Sequence, residues 1–266
     1  MHCSEENGRE VAEPGARFYD RSRPTGVHMA GKYHRRSLPG TLAAFLALFA
    51  FLPAFAQAPP APRFVVVLDA AHGGDDFGAR LGNQAEKDLT LALSVKLRSL
   101  LMARGMAVVT TRESGADVDA DRRAEIANRA NAAACLNLHA ALVSGKSGPA
   151  VHLFLSSLPS STDARFVPWR TAQSAWITRS IALAGVLNSA LTHAGITVTL
   201  GRTSLPAIDT MACPAVAIEI APQRQTDAQD GAGADNAGFE SQVAEALAAA
   251  LVEWRADGGQ FGERRP

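Results

Sequence analysis

Apolar positions fall into two alternating patterns between residues 64 and 256: short runs of strand length, and longer stretches in which they recur every three or four residues. Phe64 to Leu68 is a continuous apolar run rich in β-branched residues, as in a strand buried on both faces. Gly73, Gly74 and Gly78 punctuate the loop after it. From Glu86 the pattern turns helical, with Leu89, Leu93, Leu97, Leu100 and Leu101 on one side until Gly105 stops the helix. Met106 to Thr111 reads as a second strand. A helix over about 120–132, capped by Asp117 or Asp119, carries Ala120, Ala124, Ala127 and Ala130 as a narrow packing face.

The pattern then repeats. Ala134 to Leu138 and Gly148 to Ser156 read as strands, followed by a helix over about 173–194 with Ile177, Ile181, Ala184, Leu187 and Leu191 on one stripe. Ile196 to Leu200 is a short strand and Pro214 to Ile220 a buried one. Phe239, Val243, Leu247, Leu251 and Trp254 form the stripe of a closing helix, with frayed residues after it. Thr226 to Gly238, rich in Gly, Ala, Asp and Asn, reads as a mobile loop. Strands alternating with helices predict an α/β three-layer sandwich around a largely parallel central sheet.

The first quarter of the chain has a different character. Residues 1–37 are polar and lack apolar periodicity, and Lys32, Arg35 and Arg36 precede the segment LPGTLAAFLALFAFLPAFA. A basic region, an apolar region and a closing Ala54-Phe55-Ala56 are the three parts of a secretory signal peptide, with Met29 a candidate start. The apolar run from Leu42 to Leu52 is 11 residues long, whereas a spanning helix needs ~20. Cleavage after Ala56 is therefore expected in preference to a membrane anchor. The predicted organisation is a leader over 1–56, a Pro/Ala linker over 57–63, one catalytic domain over 64–256 and a tail over 257–266. An exported protein, periplasmic or extracellular, follows from it.

Without the leader, 19 basic side chains face 21 acidic ones and no polybasic run remains. Nucleic acid binding needs a concentrated positive face, so that class is excluded. Cys135 and Cys213 survive, each beside or within an apolar run; export would allow them to oxidise, but they are read as buried free thiols behaving as small core hydrophobes.

Four polar residues sit where these elements meet loops. His72 follows the first strand and precedes two glycines, Glu86 opens the leucine-striped helix, His139 ends the strand LNLHAA, and Glu219 lies inside AVAIEIAP. An ionised carboxylate in such an apolar run is costly to bury and should face a cation, a water site or a basic partner. A zinc hydrolase takes three His/Asp/Glu ligands and leaves one position open, so these residues make a candidate hydrolytic metal site. Asp69 is placed as an orienting acceptor for His72, or alternatively as a cap of the strand-to-loop turn. Arg112, Arg122, Asn128 and Arg129 suit an anionic or sugar substrate, but are read instead as solvated or paired with Asp117, Asp119 and Asp121, outside the catalytic set. His152 and His193 are read as structural or exposed. The glycine spacing matches neither G-x-G-x-x-G nor a phosphate-binding P-loop.

The segments DAAHGGDDFGA, EKDLTLALSVKL, TRES with DRRAEIANRANA, LNLHAA and PAVAIEIAP, in this order and spacing over most of 64–254, resemble the zinc-dependent N-acetylmuramoyl-L-alanine amidases that cleave peptidoglycan. The resemblance implies a phosphorylase/hydrolase-like α/β sandwich, Zn2+ held by His72, Glu86 and His139, and Glu219 as the catalytic residue. It also implies peptidoglycan, stem peptide and glycan, as the partner, and a role in cell-wall remodelling or cell separation. The chain departs from the family's usual pattern at Ala71 before His72, at Ala141 after His139-Ala140, and at Ile220-Ala221 after Glu219. Two alternatives stand beside this reading: another zinc amide hydrolase of carboxypeptidase type, and a weakly active or inert peptidoglycan-binding module.

Overall fold

The computed structural model describes residues 64–141, 148–161, 166–222 and 232–261. The leader over 1–56, the linker over 57–63 and the last residues of the tail lie outside them.

Six strands form one sheet: β1 (Val65–Ala70), β4 (Ala107–Thr110), β5 (Ala134–Ala140), β6 (Ala150–Ser156), β7 (Thr197–Thr203) and β8 (Ala215–Ala221). Their order across the sheet is β4-β1-β5-β8-β6-β7. The first four run parallel, β6 pairs antiparallel with β8, and β7 pairs parallel with β6. A small hairpin, β2 (Arg80–Leu81) and β3 (Gln84–Ala85), turns through Gly82 in the left-handed region. The helices are α1 (Glu86–Ala103), α2 (Ala120–Ala130), α3 (Ile177–His193), α4 (Pro206–Asp209) and α5 (Ala232–Phe261), with a 3-10 helix over Trp169–Ala175.

Alternation along the strands divides the core in two. Val66, Leu68, Leu136, Leu138, Leu153 and Ile218 point into a layer built by α1, α3 and α5. Val67, Cys135 and Ala217 point the other way, toward Ala124 and Ala127 of α2 and Ile208 of α4. The result is the predicted three-layer α/β sandwich around a mostly parallel sheet. Leu89, Leu93, Leu97 and Leu101 of α1 are all buried, and each fully buried leucine contributes about 2 kcal/mol. Glu86 and Asp88 in its first turn suit the positive end of the helix dipole. At its other end Gly105 adopts φ 73° and its N–H donates to the carbonyl of Met102 at 3.0 Å. Asp119 is the cap of α2, its carboxylate accepting from the Arg122 N–H at 2.7 Å.

Several expectations need correction. Ile181 is exposed, and Ser180 and Leu183 face the core in its place, because the buried stripe of α3 runs 177, 180, 183–184, 187 and 191. Ala120 is likewise outside the packing face of α2. Part of the stretch assigned to a mobile loop is helical, since α5 begins at Ala232, and the helix continues past Trp254 to Phe261. The rest of that loop, up to residue 231, lies outside the described residues.

The largest correction concerns the cysteines, which are not free: Cys135 and Cys213 form a disulfide with a Cα separation of 6.2 Å. Cys135 is the register partner of Ala215, two residues beyond Cys213. Pairing of β5 with β8 therefore delivers the two thiols to each other across 78 residues of sequence. Gln173 braces the same approach to β8: its amide donates to the carbonyls of Met211 at 2.9 Å and Cys213 at 3.0 Å, and its oxygen accepts from Ser180 at 2.6 Å.

Candidate metal centre and active site

Parallel β1, β5 and β8 end at the same edge of the sheet, and α1 begins there. That topology brings His72, Glu86 and His139 together with their potential ligand atoms all within 4.8 Å of one another. His72 Nε2 lies 3.0 Å from Glu86 Oε2, and His139 Nδ1 lies 2.9 Å from Glu86 Oε1. The two imidazoles meet edge to face with centroids 5.5 Å apart. Ligand atoms on a tetrahedral zinc, with bonds of about 2.0–2.2 Å, are roughly 3.3 Å apart, so this spacing suits one small cation.

Protonation of the cluster fits the same purpose. Burial alone would raise the Glu86 carboxyl, but the hydrogen bond to His139 and the N–H groups of Ala79 at 2.8 Å and Ala140 at 3.0 Å outweigh it and hold the group at about 2. Glu86 is thus a carboxylate at any physiological pH. Because its folded value is depressed, the stability it lends is complete above its ordinary 4.5 and is lost as pH falls toward about 2. His72 Nδ1 lies 2.8 Å from Asp76 Oδ2, an arrangement that leaves Nε2 free to act as the ligand. The same contact holds the Asp76 carboxyl below its usual range.

The loop between β1 and α1 makes this geometry through its backbone. His72 has φ 63°, a left-handed conformation uncommon outside glycine, and swings its ring back over the start of α1. Gly78 has φ 64°, and a Cβ there would lie 2.6 Å from both Glu86 Oε2 and His72 Cδ2. A Gly78→Ala protein is accordingly expected to stay folded but bind zinc at least tenfold more weakly, which metal titration of the purified variant measures.

Two buried arginines clamp this loop. Arg112 donates to the carbonyls of Ala70 at 2.8 Å, Ala71 at 2.9 Å and Lys87 at 2.7 Å, tying the end of β1 to the first turn of α1. Arg123 donates to Asp69 Oδ1 at 2.7 Å, to the Ala70 carbonyl at 2.6 Å and to the His72 carbonyl at 2.7 Å. Asp69 is therefore not the orienting acceptor for His72. Its carboxylate accepts from Arg123, from Thr111 Oγ1 at 2.6 Å and from Asn137 Nδ2 at 2.6 Å, and Asp76 is the acid that meets the imidazole. Arg112 is buried rather than solvated. Arg122 and Arg129 pair with Glu125 on α2 instead of the preceding aspartates, and Asn128 bonds the backbone of Thr210 and Ala212.

Glu219 is the register partner of His139 on the adjoining strand. Neighbouring strands lie about 4.8 Å apart, so Glu219 and His139 leave the same face of the sheet from adjacent strands. On its other side the register partner is His152 of β6, a residue the sequence pattern assigned no part in the site. His193 is on α3 and, among the described residues, bonds its own helix through Ser189.

The family model described as N-acetylmuramoyl-L-alanine amidase matches residues 66–253, and the chain belongs to that family. Over 54 residues it is 43% identical to the germination-specific N-acetylmuramoyl-L-alanine amidase of Bacillus subtilis, covering 20% of this chain and 23% of that protein. Over 99 residues it is 34% identical to the endolysin of Bacillus phage SPP1, covering 37% of this chain and 36% of that protein. The matched segments thus span about a quarter to a third of these curated relatives. Among solved structures, the catalytic domain of CwlV, an N-acetylmuramoyl-L-alanine amidase from Bacillus (Paenibacillus) polymyxa var. colistinus, superposes with a TM-score of 0.56 at 22% identity, covering 73% of this chain and 98% of that one. The likeness shows that the two share a fold.

Proposed function

We propose that this protein is a zinc-dependent hydrolase of the amide that joins the lactyl group of N-acetylmuramic acid to the L-alanine of the stem peptide in peptidoglycan. The observation that carries the reading is the placement of Glu219 next to His139, and so next to the His72–Glu86–His139 cluster, in a chain of the amidase family. His72, Glu86 and His139 would hold the zinc, which when bound supplies Lewis acidity and lowers the pKa of water toward ~7. Glu219 takes a proton from the attacking water as its oxygen bonds to the carbonyl carbon. The carbonyl π electrons move onto oxygen. When they return, the C–N bond breaks and Glu219 passes its proton to the departing amine nitrogen. Asp76 and the Arg123 clamp keep His72 in place throughout.

The same reading places the protein outside the cytoplasm after removal of residues 1–56, in cell-wall remodelling or cell separation. The disulfide supports an oxidising compartment. Among the described residues no helix is long and apolar enough to cross a membrane.

Digestion of purified sacculi, followed by mass spectrometry, tests the bond assignment. Intact stem peptides with a free L-alanine amine are the expected products; peptides shortened at their far end would instead mark a carboxypeptidase. A chelator should stop the release, and added zinc should restore it.

A further inference from the structure

Four side chains lie in one row across the sheet at the level of the site: His139 on β5, Glu219 on β8, His152 on β6 and Thr199 on β7. Register partners share a face, so His152 flanks Glu219 on the side away from His139, with its Cα about 5 Å from that of Glu219. The row lies on the face of Ala217 and Phe154, opposite the layer of α1, α3 and α5. On β6 His152 is partly exposed, and on β7 Thr199 is exposed. One row further along, the Phe154 ring lies over Gly201, where a Cβ would meet it at 3.2 Å, and the His152 ring tilts against Phe154 with centroids 6.4 Å apart.

His152 Nδ1 lies 2.5 Å from Thr199 Oγ1. A threonine hydroxyl both donates and accepts; in the tautomer where it donates to Nδ1, the imidazole proton is on Nε2, and among the described residues Nε2 has no hydrogen-bond partner. An imidazole N–H whose ring is held through Nδ1, on the strand beside the proposed base Glu219, is the type of donor that stabilises an oxyanion as it forms.

We propose that His152 is a further catalytic residue, donating a hydrogen bond from Nε2 to the scissile carbonyl oxygen as it becomes an oxyanion, and that Thr199 is the positioning residue that holds its ring through Nδ1. The proposal rests on the amide-hydrolase reading above and adds a second stabilising group to it, on the side of Glu219 opposite the metal cluster. A histidine that serves only to pack against Phe154 and the β6–β7 surface would be replaceable by another aromatic ring.

The test compares steady-state cleavage of a soluble muramoyl-peptide by wild type, His152→Phe, His152→Gln and Thr199→Val, with Glu219→Gln in the same assay. His152→Phe keeps the ring on the sheet and removes the donor, and its kcat is expected to fall about 100-fold with KM and zinc content within twofold of wild type. His152→Gln, which restores an N–H, is expected to recover part of that loss, and Thr199→Val to lose about tenfold in kcat. Wild-type kcat in His152→Phe, or an effect confined to KM, overturns the proposal. Should Glu219→Gln be inactive while His152→Phe is fully active, only the role of His152 fails; should both be fully active, the underlying hydrolytic reading fails with it.

Discussion

The Glu219→Ala protein is expected to fold, to bind zinc as wild type does, and to release stem peptides from purified sacculi about 10²–10⁴-fold more slowly. The separation of the two effects follows from the register. Glu219 sits beside His139, yet the close three-donor cluster is made by His72, Glu86 and His139 without it. Deleting the carboxylate removes the proposed proton acceptor and donor while leaving every proposed ligand, and the hydrogen bonds that orient them, intact. Glu219→Gln sharpens the measurement by preserving volume on a strand whose neighbours Ile218 and Ile220 are wholly buried. Peptide release measured beside bound zinc decides the matter. Wild-type turnover in either variant would remove Glu219 from the mechanism, and loss of zinc together with activity would make it a ligand.

The second large effect is on stability. Replacing both Cys135 and Cys213 with serine is expected to cost roughly 3–5 kcal/mol, because the crosslink closes a long loop in the unfolded chain. Against a typical total of about 5–15 kcal/mol this is a large share. The bond joins β5 to the approach of β8, the two strands that carry His139 and Glu219, so local loosening there would separate the proposed base from the His72–Glu86–His139 cluster. Denaturant titrations of the double variant and of the reduced wild type should give similar, lower midpoints than the oxidised protein. An unchanged midpoint would show that sheet packing alone sets the stability.

How much of this could be read from the chain depended on how far away the deciding partner lies. His139 and Glu219 stand out in the sequence as polar residues inside apolar strand runs, and the structure pairs them in register on adjacent strands, both partly exposed. Glu86 was legible as the acidic start of a striped helix, and the layers followed from alternation of strand and helix periods. Asp69 misled because three residues of sequence suggest proximity to His72. In the fold Asp69 belongs to β1 and faces Arg123, while the left-handed backbone at residue 72 turns the imidazole toward α1. Arg123 was not distinguished from its polar neighbours, since nothing local reveals that its guanidinium is buried against carbonyls from the first strand. The disulfide and the place of His152 both depend on strand order. Insertion of β6 antiparallel beside β8 sets His152 opposite Glu219, and no periodicity within GPAVHLFLS encodes that neighbour. The start of α5 lay hidden for a different reason: a Gly/Ala/Asn-rich stretch has the composition of a loop, yet it leads directly into the helix that packs on α1 and α3.

Metal analysis of the purified protein and of His72→Ala, Glu86→Gln and His139→Ala tests the central claim most directly. About one zinc per wild-type chain is expected, with each replacement removing one of the three proposed ligands and sharply reducing occupancy in a protein that remains folded. Full zinc occupancy in those variants, or a folded wild-type protein that cleaves peptidoglycan with no metal bound, would contradict it.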